Sequence, residues 1–137
     1  MAQDDLVIDP WGSAQSTDYD RIIEQFGLTS MTGVSLSNPS KLHRRGIVFA
    51  HRDVDQVVEA QRTASPFGVL TGLMPSGQMH LGHSMVVEQA RWFQENGGDV
   101  TIAVADLESQ ATRGVSLSKG REVALREYIA HYAALGL

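Results

Sequence analysis

His80 and His83 stand three residues apart, with only Leu81 and Gly82 between them. On a helix that spacing puts both imidazoles on one face. Imidazole can give or accept a proton near neutral pH. A helix start adds unpaired backbone N–H groups and the positive end of the helix dipole, which together favour an anion. Pro75, Ser76 and Gly77, just upstream, are turn residues. The chemistry this suits is a phosphate under attack: the histidines donate to its oxygens, Ser76 and the turn N–H groups hold it, and a flat base packs on the side-chain-free Gly82. The alternative is an ordinary helix cap with a surface histidine pair.

Such residues must be positioned by a strand, a turn and a helix. Phe67–Leu73 is an almost unbroken apolar run, the pattern of a parallel strand covered on both faces. Met74–Gly77 is the turn, and a helix opens at about Met79–Gly82. It runs to about Gln94, with Val86, Ala90 and Phe93 on its inner face and Leu81, Met85 and Trp92 flanking. Asn96-Gly97-Gly98 stops it. Asp99–Ala105 is a second buried strand. A strand–helix–strand unit of this length predicts adjacent parallel strands, the first half of a doubly wound α/β fold. Ligands bind there beyond the carboxyl ends of the strands, where Gly72 and Asp106 lie.

Asp106-Leu107-Glu108 follows the second strand. Two carboxylates there suit helix caps, a metal site or substrate contacts. Gln110–Ser116 reads as a loop, and Ser116 or Ser118 as the cap of a last helix. Leu125, Tyr128, Ile129, Tyr132 and Leu135 form its apolar face, which makes Tyr128 and Tyr132 structural.

Upstream, residues 1–16 are polar and turn-rich, with Asp9-Pro10-Trp11-Gly12 as a turn. Thr17–Asp20 offers an N-cap for a small helix that ends at Gly27. Residues 28–40 read as a loop, Lys41–Arg45 as a basic segment of about one helical turn, and Ile47-Val48-Phe49 as a strand. His51-Arg52-Asp53 matches the start of a kinase catalytic loop. The asparagine such a loop needs is Val58 here, and no glycine-rich loop precedes it, so that reading fails. Asp53 is then an N-cap for a helix carrying Val54, Val57 and Val58, which Ser65-Pro66 ends. Two parts result: an N-terminal extension over residues 1–65 and the α/β part over residues 66–137.

Acidic residues outnumber basic ones by 16 to 11 in 137, a formal net charge of -5. That argues against a basic nucleic-acid-binding module. The chain has no cysteine, hence no disulfide or thiolate metal site. No apolar run would span a bilayer, and the N-terminus lacks the pattern of a signal peptide. A cytoplasmic protein is expected.

The string Thr71-Gly72 through Pro75-Ser76-Gly77 to Met79-His80-Leu81-Gly82-His83 resembles the first signature of the class I aminoacyl-tRNA synthetases, in the form used by the tryptophan and tyrosine branch. Arg44–Asp53 and the Asp9–Trp11 and Asp18–Gly27 stretches resemble segments that precede the catalytic fold in archaeal and eukaryotic-type tryptophan enzymes. The resemblance implies ATP-dependent activation of tryptophan and its transfer to tRNA(Trp), with ATP and Mg²⁺. It implies His80 and His83 as catalytic residues, and Pro75, Ser76, Gly77, His80, Gly82 and His83 as ATP-binding. It implies Leu70, Gly72, Ala103, Asp106 and Glu108 as lining the amino-acid pocket, with no protein-held metal and a homodimeric full enzyme. Some members have an aromatic residue where Leu70 stands and glutamine where Ala103 stands. The family's second signature, Lys-Met-Ser-Lys-Ser, has no match. The expectation is therefore an N-terminal piece of a longer enzyme, inactive alone. Tyrosine activation, another nucleotidyltransferase with the same histidine signature, and a catalytically silent binding fragment are the other readings.

Overall fold

The computed structural model describes residues 18–137. The expected polar N-terminal stretch and its Asp9–Gly12 turn lie outside the described residues. The chain divides into two compact units, one ending at Gln56 and the other starting at Val57.

In the first unit, α1 (Tyr19–Gln25) starts on Asp18, whose carboxylate accepts from the Arg21 N–H at 3.0 Å. It buries Ile22 and stops before Gly27, as its sequence predicts. β1 (Thr29–Ser30) forms inside the expected loop. α2 (Lys41–Arg44) is the single basic turn, capped by Ser40. The second strand, β2 (Ala50–His51), lies three residues beyond the expected Ile47–Phe49 and pairs antiparallel with β1. The reason is that the N–H groups of Ile47 and Val48 both turn back to the Leu42 carbonyl, closing α2, so neither is free for a ladder. The division between units falls within α3 (Val54–Thr63). Asp53 does not cap α3 in the expected way. Its φ of 60° is left-handed, not extended, and the Val54 N–H donates to His51 Nδ1 at 3.2 Å instead.

The second unit is built on β3 (Phe67–Leu73) and β4 (Gly98–Val104), which pair in parallel from Phe67 opposite Gly98 to Leu73 opposite Val104. α4 (Leu81–Glu95) crosses between them. The strand pair is as the apolar runs predict, with one correction. Burial alternates along both strands, so one face of the pair is open rather than covered. That face carries Gly68, Leu70 and Gly72 beside Asp99, Thr101 and Ala103, and Leu70 is 76% exposed. The other face, with Leu73, Ile102 and Val104, packs on Val87, Tyr128 and Tyr132.

α4 turns Val87, Ala90 and Trp92 inward and leaves Val86, Leu81 and Met85 exposed. The inner face is thus centred one residue beyond the expected Val86. Spacing alone could not choose between two adjacent valines. Residues 110–113 of the expected Gln110–Ser116 loop are helical instead. They belong to α5 (Asp106–Arg113), which has two carboxylates in its first turn, where the helix dipole favours them. It ends on Gly114 at φ 66°, the left-handed stop that glycine makes without strain. α6 (Leu117–Val123), capped by Ser116, runs into a π-helical segment, Ala124–Ile129, and then α7 (Ala130–Ala134). The π bonds reach one residue further than α bonds and widen the turn. Ala124, Tyr128 and Tyr132, four apart each time as neighbours on one helix face are, form the inner face, while Leu125 and Ile129, expected inside, lie one position further on and are exposed.

Candidate active site

The turn after β3 is held from beneath by two hydroxyls. Tyr128, from the π segment, donates to the Met74 carbonyl at 3.1 Å. Ser109, from α5, is wholly buried and donates to the Pro75 carbonyl at 3.1 Å. The Thr112 hydroxyl lies 3.3 Å from the Met74 sulfur. Pro75 is buried with them, so its ring shapes the turn and presents nothing outward. Ser76 and Gly77 stay exposed. Burial raises the Tyr128 phenol above its usual range, while the backbone N–H groups of Ser76 and Gly77 beside its oxygen pull the other way. Sequence reasoning found neither Ser109 nor this role of Tyr128. A lone serine in Asp-Leu-Glu-Ser gives no signal of burial.

His80 and His83 begin α4 as a reciprocal cap. His80 Nδ1 accepts from the Gly82 N–H at 3.2 Å, and His83 Nδ1 accepts from the His80 N–H at 3.1 Å. The cap reading of this pair is therefore correct as local structure, and it has a chemical consequence. A neutral imidazole with one nitrogen accepting carries its proton on the other. Both rings are thus set as Nε2–H donors, and neither Nε2 has a partner among the described residues. The ring centroids are 4.0 Å apart, and His83 meets the edge of Tyr128 at 5.8 Å. Burial lowers the His83 pKa, the closeness of a second imidazole, His80, lowers it further, and a backbone contact with His80 opposes them. The net effect favours the neutral form of His83. Gly82 has a steric reason of its own: a Cβ there would lie 3.0 Å from His80 Cε1 and 3.1 Å from its Nδ1.

Leu70, Gly72 and Ala103 come together on the open sheet face, with Gly72 opposite Ala103. A Cβ on Gly72 would stand 2.8 Å from the Ala103 carbonyl oxygen, so the surface must be bare there. Asp106 and Glu108 open α5 but differ in state. The Asp106 carboxylate accepts from Arg121 Nε at 3.0 Å and from the Leu107 N–H at 2.8 Å. Arg121 holds its pKa below the usual carboxylate range. The exposed Glu108 carboxylate has no partner among the described residues.

The family described as tRNA synthetases class I (W and Y) matches residues 62–137. The chain is 43% identical over 134 residues to the tryptophan–tRNA ligase of Methanosarcina acetivorans, which covers 96% of this chain and 31% of that protein. It is 44% identical over 131 residues to the ligase of Thermoplasma acidophilum, at 96% and 30% coverage. The crystal structure of tryptophanyl-tRNA synthetase from Aeropyrum pernix superposes with a TM-score of 0.80 at 42% identity, covering 95% of this chain and 37% of that one. The tryptophan-bound enzyme of Encephalitozoon cuniculi superposes with a TM-score of 0.75 at 29% identity, covering 89% and 36%. The chain thus spans about a third of the length of the relatives it matches. With more than half of its residues matched by the family, and with the family's histidine signature at the start of α4, this chain belongs to the class I tRNA synthetases of the tryptophan and tyrosine branch.

Proposed function

We propose that this chain supplies the first part of the catalytic site of a tryptophan–tRNA ligase, with ATP, tryptophan and tRNA(Trp) as substrates. The observation that carries this reading is the pair of Nε2–H donors that the cap of α4 fixes three residues after the exposed Ser76–Gly77 turn. The tryptophan ligases among its relatives support the choice of amino acid.

The tryptophan carboxylate is already ionised at neutral pH and attacks without a general base. One carboxylate oxygen bonds to the α-phosphorus of ATP, the bond from that phosphorus to the bridging oxygen breaks, and pyrophosphate leaves with the electron pair. The site must align the reactants and stabilise charge growing on the phosphoryl oxygens. His80 and His83 donate to those oxygens. Ser76, Gly77 and the turn shaped by Pro75 hold a phosphate, and Gly82 admits the adenine. Leu70, Gly72 and Ala103 line the indole side, and Glu108 takes the substrate ammonium. Asp106, paired with Arg121, orients the start of α5. Mg²⁺ enters with the triphosphate as part of the substrate. Among the described residues no cluster of three or more His, Cys, Asp or Glu side chains gathers to hold it. The adenylate then passes its aminoacyl group to the 3′ end of tRNA. The full enzyme is proposed as a cytoplasmic homodimer. Among the described residues no helix is long and apolar enough to cross a membrane.

The test is a chimera in which this segment replaces its counterpart in the Methanosarcina acetivorans ligase, assayed by amino-acid-dependent ATP–pyrophosphate exchange. Exchange with tryptophan is expected. His80→Ala and His83→Ala should each lower it by about 10²-fold or more, the scale of losing one transition-state donor. Exchange that prefers tyrosine, or that survives both substitutions, would overturn the reading.

A further inference from the structure

We propose that Tyr128 is a positioning residue for the phosphate turn and for His83, with Ser109 as its second tether. The inference rests on the function proposed above. Three separate observations converge on one side chain. The Tyr128 hydroxyl donates to the Met74 carbonyl at 3.1 Å. Its ring stands edge-on to His83, with centroids 5.8 Å apart and planes at 70°. Its backbone lies in the π-helical segment Ala124–Ile129, the one stretch of that helical run that departs from α geometry.

A packing role alone would not need the oxygen. Tyr128 is 1% exposed and packs on Val87 and Tyr132 with its ring. Its hydroxyl reaches instead into the turn, where a buried oxygen must find a partner or cost stability. There it meets the Met74 carbonyl and lies beside the N–H groups of Ser76 and Gly77. Ser109 anchors the next carbonyl, that of Pro75. Two successive carbonyls are thus tied down from inside, and the Ser76 N–H closes the turn on the Met74 carbonyl at 2.8 Å, which fixes the backbone that carries the exposed Ser76 hydroxyl. The same ring limits how far His83 can swing. Ala124 and Tyr132, four positions to either side, share the inward face of Tyr128.

Tyr128→Phe keeps the ring and its packing and removes only the oxygen. In the chimera, it should lower kcat for pyrophosphate exchange by about tenfold to a hundredfold, the scale of a misaligned site, with KM for tryptophan little changed. In this chain, NMR order parameters at Ser76 and Gly77 should fall from the rigid range, about 0.85, toward the flexible range below about 0.6. Those of β3 and β4 should stay the same. Ser109→Ala should loosen the same two amides. Unchanged kcat in an active chimera carrying Tyr128→Phe would overturn the proposal. So would rigid Ser76 and Gly77 amides in either variant. An inactive parent chimera would refute the proposed function instead, and the order parameters would still decide whether the hydroxyls hold the turn.

Discussion

One methyl group at position 82 separates the structural from the chemical role of the histidine pair. In Gly82→Ala the new Cβ starts 3.0 Å from His80 Cε1 and 3.1 Å from Nδ1, closer than real Cβ atoms normally approach a neighbour. His80 is an exposed side chain, so the ring gives way rather than the backbone. It moves by a few tenths of an ångström or swings to another rotamer, and the 3.2 Å bond from the Gly82 N–H to Nδ1 stretches or breaks. Losing a cap costs about 1 kcal/mol. Replacing glycine by alanine within a helix returns about 1 kcal/mol. The two nearly cancel, so the melting temperature should hardly move. The reaction should not be spared, because a displaced His80 loses both its fixed tautomer and its line to the phosphate. A misplacement of about 1 Å can cost about 10²-fold. Thermal denaturation of this chain, read beside pyrophosphate exchange of the chimera, measures the two effects separately. A Gly82→Ala protein with undiminished exchange would refute the link from the glycine through the cap to the donors. A large fall in stability would show that the backbone yields instead of the ring.

Other outcomes follow from the same geometry. Val87→Ala removes two buried methyl groups from between the sheet and Tyr128 and should cost about 2 kcal/mol in denaturant unfolding; a neutral result would mean that Val87 is not in the core. Burial holds both His43 and His83 below the ordinary imidazole value of 6.5, so the unfolded chain binds more protons as pH falls through 6.5. The stability these two residues contribute is present above 6.5 and lost on acidification toward their folded-state values. Replacing both by glutamine should flatten the decline seen by denaturation as pH falls below 6.5, and an unaltered slope would count against their titration. Glu108→Gln should weaken tryptophan binding in the chimera more than Asp106→Asn, because the Asp106 carboxylate is already engaged by Arg121. The reverse order in calorimetry would exchange their roles. Leu70→Thr should leave the stability of this chain within about 0.5 kcal/mol, since the leucine is bare, yet reduce tryptophan affinity in the chimera.

The strand–turn–helix frame was legible because each of its parts is punctuated in sequence. The apolar run ends at Leu73, the turn chemistry falls on Pro75–Gly77, and Asn96-Gly97 closes α4. What stayed hidden depended on partners the sequence does not name. An apolar strand looks the same whether one or both faces are covered, so the open face bearing Leu70, Gly72 and Ala103 was not foreseen. Val86 and Val87 lie 100° apart on a helix, and only packing decides which is inside. Leu125 and Ile129 have the same helical spacing as Ala124 and Tyr128 one position before them, and only packing decides which pair is inside. α5 was missed although Gly114 marks its end, because its exposed residues give little apolar periodicity. Ser109 became visible only once its hydroxyl met the Pro75 carbonyl across 34 positions of chain.

The cap and the chemistry of His80 and His83 are not competing accounts. An imidazole free to rotate would present its proton on either nitrogen, and half of those arrangements would face a phosphate with a lone pair. By accepting the Gly82 and His80 N–H groups, the two Nδ1 atoms exclude that arrangement. They also satisfy donors that every helix start leaves open. The same bonds tie the two roles to one titration. Protonation of a capping Nδ1 removes the acceptor that α4 uses, so acid weakens the helix start and frees the ring together. The depressed pKa of His83 postpones that loss to lower pH. At neutral pH a ring with one proton, on a known atom, is worth more to a developing phosphoryl charge than a mobile cation, since a preorganised donor needs no rearrangement as the charge appears. The helix start thus builds the donor pair from the hydrogen bonds that hold the helix itself.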